Sequence, residues 1–229
     1  MITKTLFSTT IELIQNALYT LPQGLLDQTE DRITINKPTG DFFYSPWEIK
    51  EEFKGTVWEE IYNSLTVSDK GEARIIRLNS GESYISHADM DDRYHLNLSG
   101  INCFLIDLDN KIFHELNADG IWYDMEAGRI HTAANFGNRV RFQVVVRKLL
   151  SPMVIDNAVH VTIQAKADID KDDARYIFDS QVSPWLNQAN KHRKIANFKV
   201  DGTSVSFNIN RDYLLELVII PTDFNIITA

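Results

Sequence analysis

Cysteine is almost missing from this chain: Cys103 is the only one in 229 residues, so no internal disulfide can form. Its neighbours Phe104, Leu105 and Ile106 predict a buried, inert thiol, which suits a reducing cytoplasm. Positive charge is also scarce. Lys and Arg total 23 against 32 Asp and Glu, for a net charge of −9. That balance argues against a general nucleic-acid or anionic-membrane binder, both of which need a basic footprint. No apolar run approaches the roughly 20 residues that span a bilayer. The first residues carry neither a charged leader before an apolar stretch nor a small-residue cleavage site. The expectation is a cytoplasmic protein that is neither secreted nor membrane-embedded, and no repeats or low-complexity tracts are visible.

What is present fits a soluble globular protein: 44% hydrophobic and 24% charged residues. The length allows one large or two small domains with a sizeable core. Three regions differ in texture. Residues 1–71 read as a helical segment packing on a core. Thr9 with Glu12 predicts a capped helix through Leu18 and Leu21, ended by Pro22 and Gly24. Ser45, Pro46 and Glu48 predict the start of a second helix, running to about Leu65. Between them lie a short strand, Arg32 to Ile35, and a turn at Lys37-Pro38-Thr39-Gly40. The loop Asp41-Phe42-Phe43-Tyr44 is a candidate overhang on a pocket.

Residues 72–150 break into short apolar runs separated by turn signals such as Ser99-Gly100, Asp109-Asn110 and Asp119-Gly120. Eight strands are predicted: Ala73–Leu78, Ser83–His87, Arg93–Leu98, Cys103–Leu108, Lys111–Leu116, Ile121–Asp124, Arg129–Ala133 and Arg139–Leu149. Turns every eight to twelve residues predict an antiparallel sandwich or barrel, of which the jelly roll, or double-stranded β-helix, is one form. Residues 151–229 read as an α+β extension. Val159, Val161 and Ile163 alternate as a strand. Acids around Asp170 open a helix that Pro184 kinks or breaks. Further strands are predicted at Phe198–Val200, Val205–Ile209 and Leu215–Ile220, with Asp201-Gly202 as a hairpin turn.

Chemistry concentrates between His87 and Arg141. In extended backbone His87 and Asp89 lie on one face, an imidazole and a carboxylate ready to bind a metal. His131 supplies a third ligand from a later strand. Two histidines and one carboxylate with positions left open form the facial triad of non-haem Fe(II) oxygenases. Strand alternation places Arg93, His95 and Asn97 on one face, and Arg139, Arg141 and Gln143 on one face of the last strand. Arginines turned into an interior are costly unless an anion neutralises them. His114 reads as structural, His160 and His192 as surface residues. Asp124 reads as a strand-end cap or an orienting group.

The run Arg93-Tyr94-His95-Leu96-Asn97-Leu98 after His87, followed by Gly120, Asp124, His131, Asn135 and Arg141, resembles the aspartyl/asparaginyl β-hydroxylase family of 2-oxoglutarate-dependent oxygenases, which includes bacterial free-proline hydroxylases. The resemblance covers residues 72–150. It implies a mainly β fold with a double-stranded β-helix core, Fe(II) held by His87 and His131 with Asp89, and 2-oxoglutarate as co-substrate held by Arg93 and Arg141 beside His95. The animal peptide hydroxylases of that family lack the carboxylate ligand, so Asp89 is a departure from them, and its presence favours hydroxylation over halogenation. The implied substrate is a small molecule, an amino acid, or a peptide. The competing reading is a cupin-type metal-binding or ligand-sensing module without 2-oxoglutarate chemistry. Between them lies a cupin enzyme using no 2-oxoglutarate, and Arg141 is the feature that separates these readings, because a hydrolytic or isomerising cupin has no need of an arginine ten residues past its last ligand.

Overall fold

A computed structural model of the chain describes residues 2–229. The chain divides into two compact units. The first holds the chain through Ile85, then Asp91–Ala127 and His131–Leu150; the second holds Ser86–Met90, Gly128–Ile130 and Ser151–Ala229.

The first unit opens with β1 (Ile2–Ser8), α1 (Ile11–Tyr19), α2 (Gln23–Leu26), β2 (Arg32–Thr34), β3 (Asn36–Pro38), β4 (Trp47–Ile49) and α3 (Val57–Ser64). It continues with β5 (Lys70–Leu78), β6 (Arg93–Asn97), β7 (Cys103–Asp107), β8 (Ile112–Glu115), β9 (Ile121–Met125), β10 (His131–Asn135) and β11 (Arg141–Lys148). One sheet has the order β1-β9-β6-β11-β5-β2, and a smaller one the order β10-β7-β8, extended by a bridge from Ser83 to Ala134. All these pairings are antiparallel. A six-stranded face and a three-stranded face extended by the Ser83 bridge make a double-stranded β-helix core.

Alternation explains which face packs where. Leu96, Leu98, Ala73, Ile75, Val144 and Val146 project from one face of the large sheet and are buried with Ile14 and Ala17 of α1 and Trp58 and Ile61 of α3. The opposite face carries Arg93, His95, Asn97, Arg141 and Gln143, all buried. A second apolar cluster, with Leu78, Leu105, Leu116, Tyr123, Met125 and Ala133, lies on that inner side.

Several sequence expectations give way to local chemistry. Thr10 rather than Thr9 caps α1, its hydroxyl accepting from Leu13 N at 3.1 Å. The helix predicted from Ser45 does not start there. The Ser45 hydroxyl accepts from Asp41 N, and Asp41 Oδ1 accepts from Phe43 and Tyr44 N, which closes a turn. Trp47–Ile49 then pairs with Asn36–Pro38, so Lys37 and Pro38 are strand rather than turn. Gly55, at φ +68°, separates a short 3-10 turn from α3, whose cap is Thr56. Ser83–His87 is no continuous strand, since Ser83 and His87 hold only single bridges.

The second unit contains β12 (Ala158–Ala165), α4 (Lys171–Ile177), a π turn (Phe178–Val182), α5 (Ser183–Lys191), β13 (Ile195–Asp201), β14 (Ser204–Asn210) and β15 (Phe224–Thr228). Its sheet runs β13-β14-β12-β15. Asp170 caps α4, accepting from Asp172 N at 2.8 Å. Gly202 takes φ +58° in the hairpin turn. The predicted strand at Leu215–Ile220 is instead a 3-10 helix, Arg211–Ile219, begun where Asn210 Oδ1 accepts from Asp212 N. Leu215 and Val218 are exposed, so their apolar character did not mark a buried strand.

Asn36 joins β3 to β5 where the ladder between β2 and β5 ends. Its Nδ2 donates to Gly71 O and its Oδ1 accepts from Ala73 N, both at 2.8 Å in a buried setting. Asn36→Ala leaves two buried backbone groups without partners, so urea unfolding should show a loss of about 2 kcal/mol or more.

Candidate metal and co-substrate site

His131 opens β10, where it pairs with Asp107 of β7, and the strand fixes its direction. His87 and Asp89 come from the segment around Ala88, which belongs to no continuous strand. One ligand atom from each of His87, Asp89 and His131 lies within 4.8 Å of the others. His87 Nε2 stands 4.0 Å from Asp89 Oδ2. The three residues singled out in the sequence are thus brought together. Two imidazoles and one carboxylate fit a divalent first-row metal such as Fe(II), and three ligands leave coordination positions for other molecules.

On the inner face of the large sheet, Gln143 of β11 stands opposite Asn97 of β6, and Val145 opposite His95. Arg141 is fully buried. Its Nε donates to Asn97 Oδ1 at 3.0 Å, its Nη2 to Gln143 Oε1 at 2.7 Å, and its Nη1 reaches Phe104 O at 3.4 Å. All three acceptors are neutral, and among the described residues no carboxylate pairs with this guanidinium. Burial pulls its pKa down to about 10. A guanidinium has five donors, and three contacts leave two for a ligand.

His95 lies in the same interior. Both of its ring nitrogens are buried without a hydrogen-bond partner of good geometry. Burial first, then the positive charge of Arg141, with His131 and Arg93 adding, drives its pKa down to about 3; Gln143 opposes this only weakly. The imidazole is therefore neutral at physiological pH. Tyr84, partly buried, donates from its hydroxyl to Arg77 O at 3.1 Å, and desolvation pushes its pKa up to about 12.

Arg93 is placed differently from Arg141. Its Nη1 meets Asp91 Oδ1 at 2.8 Å, and Asp91 also accepts from Arg147 Nε at 2.6 Å and Nη2 at 3.0 Å. Asp91 is buried between the two arginines. Arg147 further stacks over Phe42 and Phe43, with centroid distances of 4.8 and 5.6 Å. The loop 41–44 is therefore tied to β11 by its aromatic rings. Strand alternation alone could not show that Asp91 answers the charge of Arg93, because Asp91 lies outside the strand.

The remaining candidates have structural roles. Asp124 accepts from Lys148 Nζ through both oxygens at 2.7 Å. His160 Nδ1 lies 3.1 Å from Asn208 Oδ1, and His192 caps the C-terminus of α5. Cys103 is buried, and burial raises its pKa. Arg139 is exposed, and its carbonyl accepts from Asn135 Nδ2 at 2.8 Å.

No family model matches the sequence, and no curated protein matches it. Among solved structures, a Pseudomonas putida prolyl-4-hydroxylase is similar at 13% identity and a TM-score of 0.42, over 65% of this chain and 92% of that one. The viral collagen prolyl hydroxylase of Paramecium bursaria Chlorella virus-1, solved as a complex with 2OG, is similar at 8% identity and a TM-score of 0.39, over 64% of this chain and 94% of that one. Likenesses this remote leave the assignment to the side chains of this chain.

Proposed function

We propose that this protein is an Fe(II)- and 2-oxoglutarate-dependent dioxygenase that hydroxylates an amino acid, free or within a peptide. The observation that carries the reading is Arg141: a guanidinium buried on the same inner face as His95, held by neutral acceptors only. Burying a cation without a counter-ion costs several kcal/mol, and a carboxylate ligand removes that cost. A guanidinium fork matches a carboxylate in bidentate fashion. 2-Oxoglutarate carries one carboxylate for Arg141 and, at its other end, a keto acid suited to chelation.

His87, Asp89 and His131 hold the metal in this reading. Iron, when bound, supplies the oxygen-activating redox chemistry that no side chain offers. Asp89 contributes the anionic ligand that offsets part of the metal's charge. Neutral His95 adds no positive charge beside Arg141 and leaves its ring nitrogens available to polar groups of a co-substrate. Arg93 is the second co-substrate residue of the proposal. Asp91 already holds its Nη1, so its contribution is smaller than that of Arg141.

Three outcomes are expected. In anaerobic titration the protein binds one equivalent of Fe(II), and His87→Ala, Asp89→Ala or His131→Ala abolishes stoichiometric binding; full affinity in His131→Ala overturns the ligand set. Arg141→Lys weakens 2-oxoglutarate by about 1.5–3 kcal/mol, the range for hydrogen bonds to charged groups, and Arg93→Ala weakens it less. Unchanged 2-oxoglutarate affinity in Arg141→Lys leaves only the metal-binding cupin reading.

The third outcome concerns pH. The folded pKa of His95 lies below the unfolded value of 6.5, so the unfolded chain binds the proton more readily. Stability from this group is present above pH 6.5 and falls as the pH is lowered toward 3. Urea unfolding of the metal-free protein should show this acid loss, and His95→Gln should reduce its slope.

A further inference from the structure

The tripeptide that carries two of the three proposed ligands, His87-Ala88-Asp89, belongs to no continuous strand. Beyond the single bridge at His87 no β-ladder runs along its backbone, although a metal site needs its ligands held closely. Within the second unit two other groups take that role. Ala88 N–H donates to Asp179 O at 2.7 Å, and Asn187 Nδ2 donates to Asp89 O at 3.3 Å. The peptide groups around Ala88 are thus gripped from both sides.

The sequence explains why these partners are available. Asp179 lies in the π turn between α4 and α5. Ser183 N–H bonds back to Phe178 O, and Pro184, the next residue, has no N–H to give. The Asp179 carbonyl is thereby open to a donor outside the helix, which is Ala88. A π turn is a common device for presenting a helical group to a functional site. Asn187, one turn into α5, is buried. Its position requires a glycine opposite: a Cβ on Gly128 would lie 2.1 Å from Asn187 Cγ.

We infer that Asn187 and the Pro184-opened π turn are positioning elements for the metal ligands, and that the C-terminal unit serves to set the geometry of His87 and Asp89. This rests on the ligand assignment above and extends it to residues far away in sequence. The outer partners of metal ligands typically control affinity by about 10–100-fold.

The test uses the full-length protein and three variants: Asn187→Ala, Pro184→Ala and, as a control, Phe207→Leu in the buried core of the same unit. Two quantities are read beside the melting temperature: exchange of the Ala88 amide in the metal-free protein, and the Kd for Fe(II) under anaerobic conditions. Asn187→Ala should speed Ala88 exchange and raise the Kd at least about tenfold, with Pro184→Ala changing both in the same direction. Phe207→Leu should lower the melting temperature while leaving the Kd unchanged. If Asn187→Ala keeps the native exchange rate and Kd, or if Phe207→Leu raises the Kd as much at equal loss of stability, the inference is wrong. Absence of Fe(II) binding by the unaltered protein instead removes the ligand assignment; in that case the Ala88 exchange rates still decide whether Asn187 and the π turn hold the segment.

Discussion

A buried arginine with no carboxylate beside it sets the terms for the rest of the molecule. Arg141 must be held in place by its own surroundings, or its neighbours would collapse onto it or expel it. Asn97 and Gln143 do this with neutral oxygens from adjacent strands, in register across β6 and β11. Neutral acceptors orient the fork without cancelling its charge. The cost of several kcal/mol is met elsewhere. On the outer face of the same strands Leu96, Leu98, Val144 and Val146 pack against α1 and α3. Each fully buried aliphatic side chain contributes about 1.5–3 kcal/mol, so a few of them outweigh the arginine. The sheet can hold a polar interior because its apolar side is covered by helices.

The two ends of the His87-to-Arg141 region were legible in the sequence to different degrees. Period-two alternation separated Arg93, His95 and Asn97 from Tyr94, Leu96 and Leu98, and the structure keeps that separation. Turn residues located seven of the eight strands to within a few positions. His87, Asp89 and His131 could be assembled on paper because the His-x-Asp spacing, uninformative alone, is followed in order by the Arg93 run, His131 and Arg141. The failures share a cause. Ser45-Pro46 has the form of a helix start, but its hydroxyl is engaged by Asp41 and its chain by β3, neither of which a local pattern can weigh. Leu215 to Ile220 is apolar without alternation that could distinguish strand from 3-10 helix. Pro184 was legible as a helix break but not as the opening of a carbonyl to Ala88, and Asn187 and Gly128 carried no signal, because their significance lies in contacts with residues distant in the chain.

Loop segments and ladder segments divide the work of the site. His131, His95 and Arg141 stand on strands, where hydrogen bonding along the whole strand resists displacement. His87 and Asp89 stand on a connection, where a single bridge at His87 and hydrogen bonds at Ala88 and Asp89 stand in place of a continuous ladder. A connection is more easily displaced than a strand, so the geometry of the site is most sensitive at this point. Burial of Ala88 and Asn187 limits that sensitivity by keeping competing water from both hydrogen bonds.

The inner face of β11 also gives the interior a direction. Arg141 and Arg147 project from the same face, six residues apart, which is about 20 Å along an extended strand. At the Arg147 end the charges are answered: Asp91 binds both Arg147 and Arg93, and Glu72 lies 3.5 Å from Arg147. The aromatic rings of Phe42 and Phe43 cover the same guanidinium. At the Arg141 end no described carboxylate is present, and the nearby imidazole of His95 is neutral. An anion entering this interior therefore gains little at the first end and most at the second. In the proposed reading, this difference between the two arginines, one neutralised and one not, favours a dicarboxylate with one end at Arg141.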